Sequence, residues 1–411
     1  MKIAIFVTNS KTEYSGGRYH SWMMAEALVF GGHSVYVVTN NLPIFYDDFS
    51  SYPNHKDIKV CITADFKSDL PNENFDVVVL IPNLEKRPDF FLSTVFFARK
   101  NNSRLVLLNF ETPNWFNELS PEPRDPSLWF WWKEVGVVSD MIISFTKVSK
   151  DYAKAYFKCK KTTMHRYCYP SINSIIAKNS QVTKKKKQII CISRFIKGHR
   201  HKGGYDIIDA IGPEMKGFTL SIIIGAGEID SDMAKLILNK AEKFGVSVRF
   251  LYRLSDRKKF EEIKKSILML FLSHFEGFGY PPVESQFCDV PCIVYDLPVL
   301  REVSGDGLIY VSAGDITALH RKIESVISGK YSPPFSLYRG IEKVATIEFY
   351  AERVDMLMQE LISVSNEPNV LNIPLLSRIR WCYLIVKHRL FNLIKKIESY
   401  LYFKTRKIFK S

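Results

Sequence analysis

The chain has 411 residues, 46% hydrophobic and 24% charged, which excludes a disordered chain, a collagen-like fibre and a low-complexity array. No apolar run reaches the ~18 residues needed to span a bilayer. The seven cysteines are odd in number and lack a CxxC pair, which speaks against a disulfide framework or structural zinc and for a reducing cytosol. The net charge of +14 is concentrated at one end: residues 378–411 hold ten Lys and Arg against one acid, Glu398, leaving about +5 for the rest.

In chain order, Met1 and Lys2 precede only five apolar residues before Thr8 and Asn9, too short for the apolar region of a signal peptide, so the segment predicts a first strand. Residues 2–8, 34–39, 77–81, 105–109 and 141–144 read as buried strands, and 19–31 and 149–157 as helices among them. A second series begins at 188. Strands are predicted over 188–193, 219–224, 246–250, 268–272, 291–295 and 308–311, with helices over 204–211, 231–244, 257–265 and 282–288. Uninterrupted Val/Ile/Leu strands alternating with helices predict parallel sheets covered on both faces. Two such series make an α/β protein of two doubly wound Rossmann-like domains, 1–168 and 188–338, joined by a polar linker at 169–187. A helical segment, 339–365, packs back on the domains, and a basic tail follows at 366–411. Ligands of such sheets bind beyond the carboxyl ends of the strands, so the expected site is the cleft between the domains.

The densest chemical signal is the run Ser273-His-Phe-Glu276-Gly277-Phe278-Gly279-Tyr-Pro-Pro-Val-Glu284, placed after a buried strand and leading into a helix opened by prolines. Gly277 and Gly279 permit a backbone whose amides face a ligand, and a strand, glycine turn and helix N-terminus together make an anion site. Taken alone, the run also fits a tight turn with Glu284 as a first-turn helix acid.

The run resembles the EGFG…E signature of retaining glycosyltransferases of the GT-B fold, in particular glycosyltransferase family 4, the group 1 transferases. The resemblance extends through Pro291 to Glu302, through Ile222-Ile-Ile-Gly225-Ala-Gly227, and through Arg194 and His201-Lys202-Gly203-Gly204. It covers residues 190–312, and more loosely Ser15-Gly16-Gly17 and Gly32-His33. It implies an acceptor-side first domain and a donor-side second one. It also implies a UDP- or GDP-sugar donor and a glycan or lipid-linked acceptor, as in surface polysaccharide synthesis.

Carried over by position, the resemblance gives Glu276 the hydroxyls of the donor sugar and Glu284 the ribose. Gly277, Phe278 and Gly279 offer amides to the sugar or phosphate, beside the Gly225 and Gly227 turn. Arg194 and Lys202 neutralise the pyrophosphate, and Gly16 and Gly17 close on it from the opposite domain. The assignment suits the chemistry, because charge grows on the leaving diphosphate and fixed cations and amides stabilise it. Two cations there replace a metal, so neither metal nor cofactor is expected.

Two stretches depart from the family. The interval from Arg194 to Lys202 is long, and Lys197 or Arg200 are alternatives to Lys202. Where many members carry a histidine, this chain has Asn109-Phe-Glu111, whose Asn109 and Glu111 are candidates for the acceptor side or, equally, members of a capped loop. The triplet Asp230-Ser-Asp232 reads as a helix N-cap rather than a metal site. The nine histidines show no ligand spacing, and at least half of Trp115, Trp129, Trp131 and Trp132 read as core, the alternatives being stacking on a sugar or a membrane surface.

Leu390, Leu393, Ile394, Ile397 and Leu401 fall at helical spacing among lysines and arginines, predicting a basic amphipathic helix on an anionic membrane surface or one packed on the protein. No nucleic-acid module accompanies the charge. The expected setting is cytoplasmic, peripheral at the inner face of a membrane. The readings weighed against transfer are a GT-B sugar-nucleotide epimerase or hydrolase and a non-catalytic basic adaptor.

Overall fold

The computed structural model describes residues 1–390 except 13, 67, 68, 85–87, 183, 226, 376, 388 and 389. The apolar runs assemble into two parallel sheets. The first contains β1 (Lys2–Val7), β2 (Ser34–Thr39), β3 (Lys59–Ile62), β4 (Val77–Leu80), β5 (Arg104–Asn109), β6 (Met141–Ser144) and β7 (Met164–Tyr167), in the order β3-β2-β1-β4-β5-β6-β7. The second contains β8 (Gln188–Ser193), β9 (Thr219–Ile224), β10 (Ser247–Tyr252), β11 (Leu268–Phe271), β12 (Cys292–Tyr295) and β13 (Ile309–Val311), in the order β10-β9-β8-β11-β12-β13.

Each strand pair is parallel, with β1 between β2 and β4 and β8 between β9 and β11. Strand order therefore reverses beside β1 in one sheet and beside β8 in the other, and a crevice opens at the carboxyl ends of both pairs. Both faces of the first sheet are buried. Ile3, Ile5 and Val7 pack under the helix Gly16–Phe30, while Ala4 and Phe6 join a core of Phe90, Phe91, Trp115, Trp129, Trp131 and Trp132. All four tryptophans are thus core residues, where at least half were expected to be.

Strands β3 and β7 escape prediction because they are edges. Lys59–Ile62 and Met164–Tyr167 are short and partly or fully exposed along their length, so neither needs a continuous apolar run.

The helical segment expected over 339–365 is two helices that meet at Thr346. Leu337–Ala345 packs on the helix Tyr280–Phe287 of the second domain. Ile347–Ser363 crosses to the first domain and lies along Gly16–Phe30, burying Tyr350, Ala351, Val354, Met358 and Leu361. His33 meets Asp355 at 2.9 Å and Arg166 grips Glu360. Further on, residues 377–387 are helical and Trp381 is buried on the first domain, its indole N–H donating to Glu134 at 2.7 Å. The amphipathic residues read at Leu393, Ile394, Ile397 and Leu401 lie outside the described residues.

Candidate active site

The two reversal points face each other across a cleft of about 940 Å3. Arg194 is the first residue beyond β8, and the Ser273–Glu276 turn leaves β11 beside it. Gly16, Gly17, Glu111, Arg194, Lys202, Gly225, Gly227, Glu276, Gly277, Phe278, Gly279 and Glu284 all line this one space.

Local packing fixes the turn. Phe275 is buried in the first domain's core, with its ring 4.7 Å from Trp115 and 4.9 Å from Phe116. That anchor leaves the neighbouring Glu276 in the cleft. At Gly277 the backbone passes so close to the first domain that an added Cβ would sit 2.6 Å from the Phe110 carbonyl oxygen. Only glycine allows that approach.

Of Lys202, Lys197 and Arg200, Lys202 is the one that lines the cleft with Arg194. Gly203 has φ +70° and presses on the chain just after β11, where a Cβ would meet the Leu272 carbonyl at 1.9 Å. This contact turns Lys202 inward, and its Nζ donates to Glu276 Oε1 at 2.8 Å and to the Phe275 carbonyl at 3.3 Å. Lys197 instead lies 3.5 Å from both Asp230 and Asp232, and Arg200 faces Glu122 at 4.0 Å. Arg194 reaches across the cleft, donating to the Tyr14 carbonyl of the first domain at 3.0 Å. Gly16 and Gly17 open the Gly16–Phe30 helix at the cleft wall, so the helix N-terminus adds its positive end to the same space.

Glu284 is buried and accepts from Lys259 at 2.7 Å. Lys259 also donates to Asp256 Oδ1 at 2.7 Å, while Asp256 Oδ2 accepts from Tyr19 at 2.6 Å and Asn173 at 3.1 Å. Burial works against the charge on Lys259, but Asp256 and Glu284 outweigh it and hold its pKa well above the usual lysine value. Asp48 accepts from the Asp256 amide at 3.1 Å, and burial, with Asp256 nearby, lifts its carboxyl to about 6. This network joins both lobes and was missed from sequence. Apart from Asp256 and Lys259, one turn apart on the helix Asp256–Lys265, its members come from separate segments, and Ser255-Asp256 resembles any helix start.

The acceptor-side candidates separate. Glu111 lines the cleft with Oε1 3.8 Å from Arg124, and burial raises its pKa against the pull of Arg124, Lys202 and Arg194. Asn109 is fully buried at the end of β5, with its amide donating to Ser144 Oγ at 3.2 Å, and is not among the cleft-lining residues.

Asp230 caps the helix Ser231–Phe244 by accepting from the amides of Asp232 and Met233, which accounts for the Asp-x-Asp triplet. Among the described residues no group of three or more His, Cys, Asp or Glu is arranged to hold a metal ion. His274 is turned to Asp206 at 3.0 Å. The buried His20, held between Tyr280 and Tyr350, is kept neutral by burial, its pKa lowered to about 3.

Comparison with known proteins agrees with this architecture. Residues 173–340 match the family described as Glycosyl transferases group 1. Similar structures include sucrose-phosphate synthase from Thermosynechococcus elongatus, at TM-score 0.67 and 14% identity over 89% of this chain and 100% of that one. Anabaena HepE in complex with UDP and glucose is similar at TM-score 0.63 and 16% identity, over 88% of this chain and 99% of that one. The fold is therefore GT-B, two Rossmann-like lobes about a cleft, and the second lobe carries the group 1 glycosyltransferase match. More specifically, an O-antigen chain mannosyltransferase, RfbU of Salmonella typhimurium, is 29% identical over 113 residues, 26% of this chain. The match spans 30% of that relative's length.

Proposed function

We propose that the protein is a retaining glycosyltransferase that moves a sugar from a UDP- or GDP-sugar to a glycan or lipid-linked acceptor in surface polysaccharide synthesis. It would act at the cytoplasmic side of a membrane and without a metal ion. One observation carries the reading: Arg194, Lys202, Glu276 and the Gly16–Gly17 helix start converge on one cleft from both lobes. Their chemistry is that of diphosphate departure. As the bond from the anomeric carbon to the phosphate oxygen breaks, Arg194, Lys202 and the helix N-terminus stabilise the charge on the leaving group. Glu276 accepts hydrogen bonds from the transferred sugar, and Lys202, already 2.8 Å away, orients its carboxylate. An acceptor hydroxyl attacks the anomeric carbon on the face the diphosphate leaves, and its proton passes to the leaving phosphate oxygen, which retains configuration. Glu111, which lines the cleft, contacts that acceptor.

A similar structure in complex with UDP and glucose and a mannosyltransferase among the relatives favour such a donor. Thermal-shift screening with UDP, GDP and their sugars selects the base: a ligand at 100 times its Kd stabilises by about 2.7 kcal/mol. Transfer assays of Glu276→Ala and Arg194→Ala should then show activity lost with far-UV circular dichroism unchanged; full activity in both variants removes the site. Turnover of the sugar nucleotide without an acceptor would assign an epimerase or hydrolase instead, and binding without turnover a non-catalytic adaptor.

A further inference from the structure

The helix over residues 377–387 has two unlike apolar faces. One carries Trp381, 1% exposed, with Leu384 and Ile385 packed beside it on the first domain's core. Arg380 pairs with Glu134, which also accepts the Trp381 N–H, so the helix is fixed in rotation. The outward side is also apolar: Leu375, Ile379, Tyr383, Val386 and Leu390 are 65%, 57%, 63%, 63% and 57% exposed. Steps of four and three residues place Ile379, Tyr383 and Val386 within an arc of about 60° on that helix, and Leu375 and Leu390 stand beyond its two ends. Arg378 lies roughly 80° beyond one edge of that stripe and Lys387 roughly 40° beyond the other. No acid occurs between Glu367 and Glu398. No helix among the described residues is long and apolar enough to cross a membrane.

We propose that this stripe is an in-plane docking surface for an anionic lipid bilayer, with Leu375, Ile379, Tyr383, Val386 and Leu390 in the acyl boundary and Arg378 and Lys387 among the headgroups. Charge complementarity selects the occupant. An apolar face with cations along both edges and no acid matches negatively charged headgroups over buried chains. Because the opposite face is pinned by Trp381, docking here sets the orientation of the whole first domain on the membrane and not of a loose tail. The inference stands on this helix alone and does not rest on the transferase reading.

The test is co-sedimentation of the full chain with vesicles of phosphatidylcholine alone and of phosphatidylcholine with one-third phosphatidylglycerol, at low and high salt. Binding is expected to the anionic vesicles and to weaken with salt. The triple variant Ile379→Ser, Tyr383→Ser, Val386→Ser should bind at least tenfold more weakly, with little change in melting temperature because all three side chains are exposed. Val386→Trp, a change toward an interfacial anchor, should bind more tightly, which keeps the idea testable should the triple variant fold poorly. Vesicle binding unaltered in both variants would overturn the proposal. So would a concentration-dependent dimer in sedimentation velocity that the triple variant abolishes, since the stripe would then join two copies of the chain.

Discussion

Asp48 and Asp256 stand on opposite lobes yet share a hydrogen bond at 3.1 Å, and the cost of that proximity can be measured. Burial raises the Asp48 carboxyl to about 6, with Asp256 adding repulsion. The folded state therefore holds this proton more tightly than the unfolded chain does. From the unfolded carboxylate range near pH 4 up to about pH 6, only the unfolded chain has released it, so stability falls as pH rises and the full penalty remains above pH 6. Asp48→Asn keeps an acceptor for the Asp256 amide and removes the charge. It should raise stability by on the order of 2 kcal/mol at pH 7.5 and by much less at pH 4.5. Melting curves at the two pH values check this, and an equal gain at both would refute it. Gly277 sets a second test. A methyl there meets the Phe110 carbonyl, which belongs to the backbone and cannot rotate away. Gly277→Ala should push the Glu276 turn off the first lobe. If the transferase reading holds, kcat drops at least tenfold while the melting temperature changes little, as a misplaced reactive geometry predicts.

Some elements act between lobes, and the clearest is the helix Lys147–Tyr156. Glu302, on the second lobe's helix Pro298–Ser304, accepts from the amides of Lys147 at 2.5 Å and Val148 at 2.8 Å, and from the Tyr169 hydroxyl at 2.8 Å. A carboxylate from one lobe thus completes the N-terminus of a helix in the other. Glu302→Gln retains the shape but loses the charge and half of the acceptor set, and should cost about 1–2 kcal/mol in chemical denaturation. A loss under 0.3 kcal/mol would show that the contact is replaced by water. Sequence had shown Glu302 only as the end of a family-like run; its partner was invisible because it lies 155 residues away. The same distinction separates what could be read from what could not. Central strands such as β1, β4 and β12 are legible because burial on both faces demands unbroken apolar runs, whereas Lys59–Ile62 and Met164–Tyr167 carry no such demand. Glu276, Gly277 and Glu284 were legible because one turn and one helix start hold them. Asp256 and Lys259 are one turn apart on a helix, but Tyr19 and Asp48 reach them only through tertiary structure.

For the molecule as a whole, the chain's course determines how far the lobes act as one body. After finishing the second lobe it returns through Ile347–Ser363, whose Met358 and Leu361 are fully buried in the first lobe's core beside Gly16–Phe30. That helix ties the lobe bearing Gly16 and Gly17 to the end of the lobe bearing Arg194 and Glu276. Tyr19 to Asp256 and Glu302 to Lys147 fasten the same joint on the cleft side and beyond it. Three such ties predict a single cooperative unfolding transition. Met358→Ala should lower stability by about 2–5 kcal/mol through lost burial and the cavity left behind, with the transition still single. Met358→Asp goes further, because a carboxylate cannot stay unpaired in that core, and the returning helix must lift away. Differential scanning calorimetry should then resolve two transitions, with the first lobe melting earlier. A single transition merely shifted to lower temperature would mean that the remaining contacts couple the lobes without the returning helix.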